Sequence, residues 1–95
     1  EVAKPEWWND EGLKALSARV VRAAPSNTGA NLMRAAVLSG RGKDAWEAGP
    51  RSAAELKESA THYERVAALC PAPAAKVQFA ARADDCRRMA AGTWY

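Results

Sequence analysis

The sequence predicts an all-α fold of about four helices paired as antiparallel hairpins, either a degenerate helical repeat or a small helical bundle. Three observations predict it. Apolar residues recur every three or four positions along most of the chain, which is the spacing of a helix face and not the alternation of a strand. Alanine, the strongest helix former, is the commonest residue. Prolines punctuate two corners, Pro25 and Pro71-Ala72-Pro73, because proline lacks an N–H and biases the preceding residue away from helix.

Residues 1–8 read as extended, with Pro5 discouraging helix before it. Trp7 and Trp8 are a large apolar pair, either laid over an inter-helix groove or presented as interface anchors. Asn9 or Asp10 caps a first helix over 10–24. Leu13, Leu16, Val20, Val21 and Ala24 form its buried stripe, and Lys14, Arg19 and Arg22 lie off it in solvent. Asn27 caps a second helix over 27–39. Leu32, Met33, Ala36 and Val37, widened by Ala35 and Leu38, make it apolar over much of its circumference, so it sits between neighbours.

Three glycines and a proline mark a long loop over 40–50, pinned by Trp46. Ser52 and Glu55 then form a capping box for a third helix over 52–70. Leu56, Ser59, Tyr63, Val66 and Cys70 share one face of it. A fourth helix over 74–91 carries Phe79, Ala83, Cys86 and Ala90 on one stripe, with Val77, Ala80 and Ala81 beside it. Gly92 is its terminator. Trp94 and Tyr95 lie beyond that helix as a tie or an interface.

Ninety-five residues with 48% apolar and 26% charged content match one small globular domain over 1–95. The net charge of +3 comes from fourteen bases interspersed with eleven acids. Without a basic block, this argues against nucleic acid and ranks a basic surface for nucleic acid or an acidic partner third among the functions. No apolar run reaches the ~18 residues of a membrane span. An intracellular location is the expectation, and a chain beginning at Glu1 is also compatible with a removed targeting segment.

Cys70 ends one helix and Cys86 lies roughly 18 Å along the next, too far for a bridge that needs Cα atoms within about 7 Å. Both are read as small buried hydrophobes. One histidine and two distant cysteines support no metal site, and no residue pattern calls for a cofactor. His62 has Ser59 one helical turn away, but no nucleophile, base and orienter come together, so no catalytic residue is assigned. Gly40-Arg41-Gly42-Lys43 lacks the strand and spacing of a phosphate loop. Asp84 and Asp85 are read as solvated acids offset by Arg82, Arg87 and Arg88.

The two corners align. Pro25 on Pro71 gives a period of 46 residues (71 − 25), with Val20 on Val66, Ala23 on Leu69 and Ala35 on Ala81. Ser59, Tyr63 and Pro71 hold the small, aromatic and proline positions of a repeated helical hairpin, and Ala35 and Leu38 stand at the small and aromatic positions of its first half. On these residues the chain, over about 13–90, resembles the tetratricopeptide repeat, whose period is about 34. The excess is close to the length of the 40–50 loop. Asn31 stands where that family prefers tryptophan, and Arg34 where it prefers leucine. The C-terminal half, with Tyr63 and the Ala83-Asp84-Asp85-Cys86-Arg87-Arg88 turn, also resembles the three-helix MIT domain, although that family lacks the Pro-Ala-Pro corner.

Both resemblances imply a non-enzymatic module that binds a protein or peptide, as a peptide or helix in an inter-helix groove. The tetratricopeptide alignment puts Leu32, Ala36 and Ser39 of one helix and Gln78, Arg82 and Asp85 of another on that groove, with Trp46 closing one end. Only Arg82 suits a carboxylate clamp, so an apolar or helical ligand is expected. The alternative is a structural accessory subunit held in a larger assembly, with Trp7, Trp8, Trp94 and Tyr95 as its anchors.

Overall fold

The computed structural model describes residues 5–40 and 49–92. Trp46, Trp94 and Tyr95, to which the sequence assigns pinning and anchoring roles, lie outside the described residues. Four helices form: α1 Asp10–Ala23, α2 Thr28–Ser39, α3 Ala53–Leu69 and α4 Pro73–Ala90. There is no strand among the described residues. The fold is all-α, a small helical bundle.

Local chemistry sets the helix ends. The Asn9 side chain accepts from the Gly12 N–H at 2.8 Å, and Asn27 accepts from Ala30 at 2.8 Å. Both halves of the Ser52–Glu55 capping box are made. α4 starts at Pro73, a residue earlier than expected, because a proline in the first turn gives up an N–H that has no helical partner anyway. Gly40 and Gly92, at φ 73° and 75°, take the left-handed conformation just past α2 and α4. Residues 5–8 turn rather than extend: the Trp8 N–H donates to Pro5 O at 2.9 Å. This turn lies against α1 so closely that a Cβ on Gly12 would sit 2.0 Å from the Trp7 carbonyl oxygen.

Each helix packs on the next, antiparallel as the pairs Lys14–Arg34 and Pro25–Asn31, then Arg34–Glu58 and Asn31–His62, show. Along α3 and α4 the contacts run from Lys76 Nζ on Ala67 O, through Tyr63 and Phe79, to Ser59 and Cys86. Ala35 of α2, Ala60 and Tyr63 of α3, and Ala83 and Cys86 of α4 form the central cluster, with Leu32 and Phe79 packed on its edge. Small side chains bring the backbones close enough for Ser59 Oγ to donate to Ala35 O at 2.7 Å.

The two end helices are covered on one side only. On α1 Leu13 and Ser17 are buried, while Leu16, Val20, Val21 and Ala24 of the expected buried stripe are only half-buried. On α4 Ala83 and Cys86 are buried, but Val77 is 71% exposed and Ala80 and Ala81 face solvent. Both cysteines are free; Cys86 is buried and Cys70 is half-buried, contrary to the reading of both as core.

Lys14 is likewise not a solvated bystander. Its ammonium bridges Asp10 at 3.5 Å and Glu55 at 2.7 Å, joining α1 to α3. The hydrogen bond to Glu55 holds it above the usual lysine range. Beside it, Arg51 grips Asp10 through two nitrogens, at 2.9 and 2.6 Å, and donates to Val37 O at 2.8 Å. The chain entering α3 is thereby tied to the start of α1 and the end of α2.

Tyr63 is fully buried. Tyr63→Ala is expected to cost ~3–5 kcal/mol and to lower Tm by well over ten degrees, at about 4–8 °C per kcal/mol. Val77→Ala should leave Tm within ~4 °C; equal melting of the two variants would refute this core. In native protein a thiol reagent should modify Cys70 well before Cys86, checked by mass spectrometry of the timed digest.

Candidate functional site

Two faces of the bundle carry unusual side chains. The first is the α2–α4 face to which the sequence points. Tyr63, from α3 beneath it, stacks with Phe79 of α4 at 6.3 Å between ring centroids. The Arg82 guanidinium lies 5.3 Å from the Phe79 centroid and 6.0 Å from that of Tyr63. From the α2 side, Ser39 Oγ comes to 3.5 Å of Tyr63 Oη and bonds Ala36 O at 3.1 Å. Leu32, Ala36, Ser39 and Arg82 are half-buried. The structure thus brings Leu32, Ser39 and Arg82 around Tyr63 and Phe79. Gln78 is exposed and makes no part of that constellation, and Asp85 pairs with Arg88 at 3.3 Å. Trp7 is 49% exposed, Trp8 is half-buried, and their rings lie 5.7 Å apart at the α1 end.

The second face is formed by α1, α2 and α3, and none of the described candidate site residues assigned from the sequence lies on it. Asn31 is fully buried. Its amide nitrogen donates to Pro25 O and Asn27 O, both at 2.9 Å, so its oxygen is left to accept. His62 Nδ1 lies 2.9 Å from that oxygen and is therefore the donor. His62 Nε2 faces Glu58 Oε2 at 3.3 Å. Arg34 joins the three helices: its Nε donates to Glu58 at 3.0 Å, and its Nη1 donates to Lys14 O at 2.8 Å and Ser17 Oγ at 3.1 Å. Outside this cluster opens a groove of about 440 Å³. Its apolar wall is Ala18, Val21 and Pro25, and Arg22 and Arg65 stand at its rim.

Burial disfavours the imidazolium and outweighs the pull of Glu58, so His62 titrates below the usual histidine range. For Glu58, desolvation pushes the carboxyl up, but the hydrogen bond and charge of Arg34 prevail and hold it below the usual carboxylate range. The ring donates from Nδ1 to Asn31, and Nε2 can donate to the Glu58 carboxylate only when the ring is protonated. Ser59, one helical turn from His62, gives its proton to Ala35 O and is not poised as its nucleophile. No group of three metal-ligating side chains gathers among the described residues, and no described helix is long and apolar enough to cross a membrane.

The sequence carries one signal for this second face. Asn31 and Arg34 are the two departures from the tetratricopeptide pattern, and both are members of the polar cluster. Ser17 and Glu58 give no such sign. No protein-family model, curated protein or solved structure matches the chain.

The depressed His62 pKa fixes a pH dependence. The folded state binds this proton more weakly than the unfolded chain, whose histidine titrates near 6.5. Stability is therefore full above about pH 6.5 and declines as pH falls toward the folded value. Tm measured from pH 8 to pH 5 should drop more steeply for the parent than for His62→Gln. Parallel curves would exclude His62 as the linked group.

Proposed function

We propose that this chain is a non-catalytic protein-binding module, tetratricopeptide-like in its repeat, that takes a peptide or helix of a protein partner along the α2–α4 face. One observation carries the reading. Arg82 is held over two stacked aromatic rings and is paired with no carboxylate among the described residues. A pre-oriented arginine on an aromatic platform is the composition of an interface hot spot. Leu32, half-buried at the edge of the same cluster, adds apolar contact area. The proposed role is that of a scaffold, with chemistry done elsewhere.

Arg82→Ala should weaken partner capture from the source lysate by about five- to a hundredfold, the equivalent of ~1–3 kcal/mol. Its Tm should stay within about 4–8 °C of the parent, since a cation–π contact at a part-exposed site contributes only ~0.5–1 kcal/mol. Lys57→Ala is the control, because Lys57 is exposed and makes no ion pair among the described residues. Lys14 is unsuited to that role, being bonded to Glu55. Undiminished capture by Arg82→Ala, with loss in Lys57→Ala, would overturn the reading.

A second reading, an accessory subunit held in a larger assembly, draws on Val77, Trp7 and Leu69, which are 71%, 49% and 41% exposed. Such a subunit would elute with its partners from the source extract through successive columns, whereas a transient module would separate from them.

A further inference from the structure

The groove between α1 and α3 has its own chemistry. Arg34 lies two positions from both Leu32 and Ala36, hence on the opposite side of α2 from the α2–α4 face. On α3, Glu58, His62 and Arg65 form one stripe at four- and three-residue spacing, turned away from Tyr63. The groove is therefore a separate surface, and its chemistry is independent of any ligand on the α2–α4 face.

Its charges do not cancel. Arg34 and Glu58 neutralise each other at 3.0 Å. Arg22 and Arg65 are exposed and have no carboxylate or other polar partner among the described residues. Two free guanidinium groups thus flank a wall of Ala18, Val21 and Pro25. From Pro25 and Arg65 the depression continues past Ala68 to Leu69, which is 41% exposed. Elsewhere on the described surface most acids already have cations: Asp10, Glu55, Glu64, Asp84 and Asp85 are all paired. Unpaired arginines beside exposed aliphatic surface are what an acidic, partly apolar chain complements.

We propose that this groove binds an acidic peptide segment of a protein partner, its carboxylates on Arg22 and Arg65 and an aliphatic side chain against Val21, Pro25 and Leu69. A nucleic acid fits less well. Two unpaired cations make a short track for a polyphosphate. The residues lining the depression include no aromatic ring for bases to stack on.

The test is selection of short displayed peptides, randomised over Asp, Glu, Leu, Ile, Phe, Ser and Gly, on the full chain. The expected pool carries at least a pair of acids and an aliphatic residue. The winning peptide, labelled for fluorescence anisotropy, should bind about five- to tenfold more weakly to Arg22→Gln and to Arg65→Gln, and should weaken as salt is raised. Lys57→Gln should bind it as the parent does. The double variant Arg22→Glu/Arg65→Glu should lose it and accept its Lys-substituted counterpart instead. Both arginines are exposed and have no carboxylate partner among the described residues, so the single Gln variants should keep the parent Tm. A selection yielding no binder would overturn the proposal, as would binders indifferent to the double reversal. Tighter, Arg22- and Arg65-dependent binding of a labelled poly-uridine strand than of any selected peptide would assign the groove to nucleic acid instead.

Discussion

Helix α3 can stand between two helices only if all three backbones approach closely, and the side chains at the seam are accordingly small. Ala35, Ala60 and Ala83 are fully buried, one from each helix. The 2.7 Å hydrogen bond from Ser59 to the carbonyl of Ala35 exists because of that approach. It also satisfies a hydroxyl that would be costly to bury alone. Tyr63 then fills what the alanines leave open. A larger residue at Ala60 would separate the helices and break the Ser59 bond together with the Tyr63 packing.

The α1–α2–α3 side is held by polar groups, and burial there is tolerable because nearly every donor and acceptor is placed. Asn31 ties the Pro25 corner to α2 and hands its oxygen to His62. Arg34 reaches α1 and α3 at once. An asparagine fixed by two backbone carbonyls has no freedom to flip, so the histidine tautomer follows from the backbone of a turn more than thirty residues away in sequence. Such a network is directional where the alanine seam is not, and it specifies how α1 is set against α3.

The helices and their ends are legible in the sequence because their causes are local. Asn27, the Ser52–Glu55 box, Pro73 and Gly92 each act within one turn, and the Tyr63 stripe has the period of a helix. What stays hidden depends on partners distant in sequence: Ser17 with Arg34, Asn31 with His62, Asp10 with Arg51. Lys14 reads as a surface lysine until α3 places Glu55 beside it. Val77 reads as part of an apolar band, but periodicity does not say how many neighbours a helix has. Alignment of the two corners places Leu32 and Arg82 on one face, and both come to the Tyr63–Phe79 cluster. Gln78, chosen by the same alignment, points to solvent.

The order of packing decides what surfaces remain. In a closed four-helix ring, α1 would lie against α4 and both would be buried on two sides. Here the helices pack in sequence and α1 and α4 share no packed interface. Each end helix keeps one side in water, which is why the α1 stripe is half-buried and Val77 is bare. The same order leaves two distinct faces around the central cluster. Between α1 and α3 the floor is α2, which offers Arg34. Between α2 and α4 the floor is α3, which offers Tyr63. One floor is ionic and the other aromatic because successive helices supply them, and each helix turns a different face to its two neighbours. The chemical difference between the two faces thus follows from the connectivity and from which residues α2 and α3 carry on opposite sides.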